Sequence, residues 1–129
     1  MSVYERVQQA FNEAETKGGK NGLNCIAELD MTAVEQAKAL DACSKEEIGD
    51  FWGIPILVKD NIDVKGLHTT AGSLALEDNI AKKDAPVIQN LRKNGVVILG
   101  KTNMTEFANY TTNGMPGGYS SRGGQVERK

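Results

Sequence analysis

The chain has 129 residues, of which 40% are hydrophobic and 25% are charged, and its formal net charge at pH 7 is −2. That length allows one domain with a hydrophobic core, and the composition is typical of a globular chain. The weak negative charge argues against a nucleic-acid partner, and the lack of a long apolar run argues against a membrane partner. The first residues lack the apolar core of a signal peptide, which predicts a cytoplasmic location.

Hydrophobic periodicity predicts the first elements of the chain. Apolar residues recur at helical spacing at the N-terminus, which predicts an amphipathic helix over residues 3–17. A short apolar run predicts a strand over Leu23–Leu29. Asp30 or Thr32 is expected to cap a second helix that continues to about Cys43.

Two further elements are predicted in the middle of the chain. Ser44 followed by Glu47 resembles a capping box, which indicates one turn of helix. The segment Ile54–Lys59 is predicted as a strand. Its continuous apolar character favours an interior position, with both faces covered.

The remaining elements alternate in the same way. A helix is predicted over Ala85–Asn94, a buried strand over Val96–Gly100, and a helix over Asn103–Ala108. Helices alternating with short apolar strands predict an α/β fold, in which short central strands are covered by helices. Residues 1–110 are expected to form the ordered part of the domain, and residues 111–129 a Gly/Ser-rich loop or tail.

Lys59 is the most informative residue because it closes an otherwise apolar strand. An ammonium group buried without a partner is costly, so such a lysine is paired or has a lowered pKa. A lysine of that kind can serve as a general base. The alternative is a lysine that extends from the strand end into water.

Several motifs, in order and spacing, resemble the N-terminal part of the amidase signature family. They occupy Gly53–Asn61, Gly66–Ser73, Asp84–Ile88, Leu91–Arg92 and Gly95–Ala108. A later stretch, Gly118–Val126, looks most like the peptide amidase-like branch of that family, which is related to the A subunit of the tRNA-dependent amidotransferase. The resemblance implies a partial amidase-signature fold with an incomplete sheet.

The resemblance also implies a mechanism. The family hydrolyses amide C–N bonds with a Ser–cis-Ser–Lys triad and needs no metal or organic cofactor. Lys59 matches the triad lysine, whereas the two segments that carry the serines do not occur in this sequence. Ser120 and Ser121 are adjacent in a glycine-flanked loop, so they cannot replace two serines that come from separate loops.

Other polar residues leave alternatives open. Asp60 and Asn61 either orient the loop after the strand or serve only as turn residues. His68 is expected to be an exposed loop histidine, although a place on a substrate surface is the alternative. Cys25 is expected to be a small buried side chain, and with Cys43 it makes too few cysteines for a disulfide framework. A single histidine argues against a metal site.

Two functional hypotheses follow. In the first, the chain is the N-terminal fragment of an amidase, catalytically incomplete by itself, and it acts on an amide substrate only when its site is completed. In the second, it is a non-catalytic remnant that forms oligomers, or one subunit of a split amidase. Both hypotheses predict a partner, which is either a second copy of the chain or a complementary amidase chain, because uncovered strand edges and apolar faces favour association.

Overall fold

A computed structural model describes residues 1–128 of the chain. The helices and strands of this part follow one another in an α/β order, which confirms the predicted fold class. In chain order they are α1 (Val3–Gly18), β1 (Ile26–Leu29), α2 (Ala33–Asp41), α3 (Lys45–Ile48), β2 (Pro55–Lys59), α4 (Pro86–Lys93), β3 (Val97–Thr102), β4 (Tyr119–Ser120) and β5 (Gly124–Gln125).

The main sheet has three strands in the order β1-β3-β2. The central strand β3 pairs antiparallel with β1 and parallel with β2. The predicted interior position of β2 is wrong within residues 1–128, because β2 lies at the sheet edge and most of its residues are only half-buried. A continuous apolar run indicates burial but does not determine strand order, and here the central place belongs to β3.

The alternation of side chains along β3 divides the core in two. Val97 and Leu99 face α1 and α2, where they pack with buried residues that include Val7 and Ala37. Ile98 faces the opposite side and packs in a second cluster with residues of the loop after β2 and of α4. Helices therefore cover both faces of the central strand, as the fold prediction required.

Capping interactions account for the helix starts. The Ser44 side chain accepts a hydrogen bond from the Glu47 amide, and the Glu47 side chain returns one, which confirms the predicted capping box. At the start of α2, the Asp30 carboxylate accepts hydrogen bonds from the amide and hydroxyl of Thr32. The α2 helix ends at Asp41, two residues before the predicted end.

The helix predicted over Asn103–Ala108 is wrong. Only a short 3-10 turn is found, at Glu106–Asn109, and Phe107 and Ala108 within it have left-handed φ angles of 46° and 53°. The amide of Asn103 donates to the carbonyl of Cys25 instead of to a helical partner. Long-range hydrogen bonds, which local periodicity cannot reveal, therefore replace the helical pattern here.

The C-terminal segment forms a small hairpin of β4 and β5 that contacts the rest of the fold. The side-chain amide of Asn24 donates to the carbonyls of Gly123 and Gln125, at 2.7 and 3.0 Å. The amide of Glu127 donates to the carbonyl of Leu23. These contacts bring the segment against the start of β1. The division of the chain at residue 110 stays a prediction.

Candidate functional site

Lys59 lies at the carboxyl end of β2, where its register partner on β3 is Thr102. It is exposed, and it lines a cavity of about 630 Å³. The expectation of a lysine enclosed by apolar residues is therefore wrong for Lys59, because its side chain at the end of β2 is exposed to solvent. The position agrees with the alternative, a lysine that extends from the end of a strand.

The Lys59 cavity lies at the carboxyl ends of two parallel strands, the usual place for ligands in open α/β sheets. Its walls combine polar residues from the end of β3 and the turn that follows with apolar residues from β2, that turn and the C-terminal segment. The other lining residues are Leu57, Thr102, Asn103, Met104, Thr105, Ala108, Gly118 and Val126. The cavity thus presents one lysine amine beside hydroxyl and amide groups.

A second lysine, Lys101, occupies the buried environment that was expected for Lys59. Lys101 is 0% exposed, and its Nζ lies 3.4 Å from Oδ1 of Asp60, which is 1% exposed. The Lys101 ammonium also donates to the carbonyl of His68 at 2.8 Å. Burial lowers the pKa of Lys101 below its ordinary value, although the Asp60 carboxylate opposes that shift.

The Asp60 carboxylate has further partners. Its Oδ1 accepts a hydrogen bond from the Thr70 amide at 3.1 Å, and its Oδ2 accepts one from the Thr70 hydroxyl. Nη1 of Arg122 lies 3.7 Å from Oδ2. One buried carboxylate therefore joins the end of β2, the loop before residue 71, the strand β3 and the C-terminal segment.

Sequence reasoning did not identify the Lys101–Asp60 pair. The available signal was that Lys101 stands at the end of an apolar run, as Lys59 does. The two lysines therefore share one sequence signal, and that signal does not show which of them is buried. The sequence predicts that Asp60 lies in a loop, whereas its burial depends on the charged partners Lys101 and Arg122, which come from distant segments.

His68 is half-buried, not an exposed loop residue as expected. Its backbone amide and its Nδ1 both lie within hydrogen-bonding distance of Oε2 of Glu28, at 2.8 and 3.0 Å. This contact links the loop after β2 to β1. Cys25 was expected to be buried and is half-buried, as is Cys43, and both are free thiols.

Ser120 and Ser121 bind loop backbone. The Ser120 hydroxyl accepts from the Gly123 amide at 2.9 Å, and the Ser121 hydroxyl accepts from the Leu74 amide at 3.1 Å. Neither residue is part of the lining of the Lys59 cavity. The Glu106 carboxylate accepts from the Ser121 amide, and its hydrogen bonds with Ser121 lower the pKa of Glu106.

Two further findings on residues 1–128 concern metal ions and membranes. No group of three or more His, Cys, Asp or Glu side chains in this part is arranged to hold a metal ion. No helix in it has both the length and the apolar character needed to cross a membrane.

Sequence comparison identifies the class of protein to which this fold and site belong. The Amidase family matches residues 6–121, so the chain belongs to that family. It is 41% identical over 113 residues to the A subunit of the glutamyl-tRNA(Gln) amidotransferase of Exiguobacterium sibiricum, a match that covers 88% of this chain and 23% of that protein.

Solved structures give the same result. The fold is similar to that of the peptide amidase of Stenotrophomonas maltophilia, with a TM-score of 0.84 and 34% identity. It is also similar to an amidase family protein of Bacillus anthracis, with a TM-score of 0.88 and 34% identity. Each match covers 98% of this chain and 26% of the other. The partial amidase-signature fold and the resemblance to the peptide amidase-like branch are thus confirmed, and the chain spans about a quarter of the relatives that it matches.

Proposed function

We propose that the chain supplies the lysine-bearing part of an amide C–N hydrolase, with Lys59 as the general base. The observation that carries the proposal is the position of Lys59. It is exposed at the carboxyl end of a parallel strand and lines a cavity with hydroxyl and amide groups, in a chain of the amidase family. A base needs this access, because the proton that it takes must lie within hydrogen-bonding reach.

In the proposed reaction, residues outside this sequence supply two serines. The amine of Lys59 takes a proton from the bridging serine, which takes one from the nucleophilic serine. The nucleophile attacks the amide carbonyl, and the C–N bond breaks when the proton held by Lys59 returns through the bridging serine to the leaving nitrogen. Water then hydrolyses the acyl-enzyme, and an acid is released with ammonia or an amine. No metal or organic cofactor takes part.

The proposal includes a partner segment. The 129 residues contain neither family segment that carries a catalytic serine. We therefore expect these residues alone to be catalytically incomplete. The serines would come from further residues of the same polypeptide or from a complementary amidase chain. In the relative from Exiguobacterium sibiricum, the matched part is 23% of one longer polypeptide, which supports the first source.

The second candidate is a non-catalytic module that forms homo-oligomers. Its support is the apolar surface within residues 1–128, which includes the exposed side chains of Ile54, Leu74, Leu76, Ile80 and Phe107. The strand β2 pairs on one side only within the described part of the chain. Exposed patches and unpaired edges favour association. A cytoplasmic location belongs to both candidates.

A chimera tests the first candidate. Residues 1–126 would replace the matching quarter of the Stenotrophomonas maltophilia peptide amidase, and hydrolysis of a peptide amide would be measured by ammonia release. We expect activity in the chimera. Lys59→Ala should lower kcat by roughly a thousandfold or more, since removing one residue of a catalytic triad abolishes most of its rate enhancement.

Two controls make this experiment decisive. Lys17→Ala removes another exposed lysine, one with no place in the cavity, and should leave kcat unchanged. The 129-residue chain alone should release no ammonia above background. A folded chimera whose activity persists in Lys59→Ala, or that has no activity at all, would contradict the proposed role of Lys59.

A further inference from the structure

We propose that Asp60 and Lys101 are positioning residues for Lys59, which means that their buried ion pair fixes the backbone that presents the Lys59 amine to its cavity. This inference rests on the proposed function for its catalytic meaning. Its structural content concerns only the described residues. The geometry that carries it is the direct succession of an exposed lysine and a fully buried aspartate at the end of β2.

The backbone around Lys59 is held from both sides. Before Lys59, β2 is paired with β3 as far as the partners Lys59 and Thr102. After Lys59, its carbonyl accepts from the Ile62 amide at 3.0 Å, and the Asp60 carbonyl accepts from the Ala71 amide at 3.0 Å. The backbone therefore turns directly after Lys59, and these hydrogen bonds fix the position of the Lys59 Cα. Only the side chain beyond the Cα can rotate.

The Asp60 carboxylate holds that turn in place. A buried carboxylate needs cations and donors around it, and Asp60 finds them in Lys101, Arg122 and both donors of Thr70. Because these groups come from three other segments, Asp60 cannot turn outward without leaving the Lys101 ammonium buried without its carboxylate. Because the ion pair keeps Asp60 buried, it also fixes the direction in which the neighbouring Lys59 points.

Lys101 closes the network from the other side. Its ammonium donates to the His68 carbonyl at 2.8 Å and lies 3.5 Å from the Thr69 hydroxyl. The loop that returns to Asp60 at Thr70 is therefore bound to β3 by the same side chain that pairs with Asp60. β3 also provides the register partner of Lys59. This central strand therefore holds β2, the turn after Lys59 and the loop before Thr70 in register with one another.

A purely structural ion pair is the competing explanation. Such a pair would raise the free energy of unfolding without affecting the turn at Lys59 or the access of its amine. The decisive variant is Asp60→Asn combined with Lys101→Met, because it removes both charges and leaves neither one buried alone. The matched control is Asp84→Asn combined with Arg92→Met, which removes a half-buried ion pair of 2.9 Å and keeps an amide oxygen at residue 84 that can still accept from the Lys65 amide.

Two measurements on the 129-residue chain distinguish these explanations. The first is hydrogen exchange of the Ile62 amide, which donates to the Lys59 carbonyl, referenced to the amide of Phe11 in α1 to remove any global change. The second is the rate at which a small active ester acylates the Lys59 amine, referenced to the exposed Lys17 and quantified by peptide mass spectrometry.

We expect the charge-free variant to raise the relative exchange rate of Ile62 by about tenfold or more, because local opening controls exchange. We also expect the Lys59/Lys17 acylation ratio to change by about threefold or more, since the amine is no longer presented in one direction. The control variant should leave both ratios within about twofold of wild type, at the level of an unaffected site.

If the charge-free variant does not fold, Thr70→Val carries the test. It removes the hydroxyl that donates to Asp60 and keeps every charge, so smaller changes of the same kind are expected. An unchanged Ile62 ratio, an unchanged acylation ratio, or equal changes in the control would overturn the positioning role. Neither measurement uses amide hydrolysis, so failure of the chimera would remove the catalytic role of Lys59 and leave this result to be judged separately.

Discussion

Lys59 and Lys101 belong to neighbouring parallel strands, yet they lie in opposite environments. Lys59 pairs in register with Thr102 and is exposed at a cavity, whereas Lys101 pairs with Val58 and is fully buried against Asp60. A shift of one position along a strand reverses the direction of a side chain. The same chemical group therefore lies in two environments here. The accessible lysine is the one that we propose as a base, and the enclosed lysine pairs with Asp60.

The largest effect expected from this difference is on stability. Lys101→Met removes the ammonium and leaves the Asp60 carboxylate buried with fewer partners, so the free energy of unfolding should fall by about 3 kcal/mol. Urea denaturation followed by circular dichroism measures this change. A loss of less than about 1 kcal/mol, the size of a surface substitution, would mean that Arg122 and Thr70 satisfy Asp60 by themselves.

Self-association would reduce the difference in exposure between Lys59 and Lys101, because a second copy of the chain would cover the surface around Lys59. We expect a homo-oligomer, most simply a twofold dimer, with an apolar interface that includes residues near β2. Light scattering of the 129-residue chain at low micromolar concentration would detect it. A well-behaved monomer would contradict the homo-oligomer and leave a complementary chain as the expected partner.

A smaller effect follows from the lowered pKa of Lys101. In the pH range between its folded pKa and its ordinary value of 10.5, the unfolded chain binds more protons at this site than the folded chain does. The contribution of Lys101 to stability should therefore rise with pH in that range. The unfolding free energy of wild type relative to Lys101→Met, measured from pH 8 upward, should increase. A constant or falling difference would show that pairing with Asp60 outweighs burial.

The smallest effect is expected at the exposed lysine. Lys59→Met should change the free energy of unfolding by no more than about 0.5 kcal/mol, as is usual for surface substitutions. Thermal unfolding of wild type and variant, in parallel with Lys101→Met, provides the check. A fall as large as that of Lys101→Met would show that Lys59 has a structural partner and would end the distinction between the two lysines.

Much of this fold could be predicted because its signals are local. The helical spacing of apolar residues placed α1 within one residue at its C-terminal end, and the Ser44–Glu47 pattern placed α3. The motif that contains Lys59 predicted the strand β2. It also left two alternatives for the lysine, and exposure at the strand end was one of them. In each case the physical cause lies within a few residues of the element itself.

The remainder depended on contacts between distant parts of the chain. The left-handed turn at Phe107 follows from bonds such as that from its amide to the Ala71 carbonyl, which no periodicity encodes. The Lys101–Asp60 pair joins residues 41 positions apart. The edge position of β2 within residues 1–128 likewise could not be predicted, because apolar character indicates burial but does not identify the neighbours of a strand.

The central position of β3 has a consequence for how the chain folds. Both neighbours of β3 precede it in sequence, and its partners on β1 lie more than 70 residues earlier. During synthesis, β1 and β2 therefore stay unpaired until the residues of β3, Val97–Thr102, have been made. Pairings that span such distances slow folding, since the entropy of closing a long loop is lost before the contacts form. Until then β1 and β2 both have unpaired edges, and the sheet can form only when about four fifths of these residues have been made.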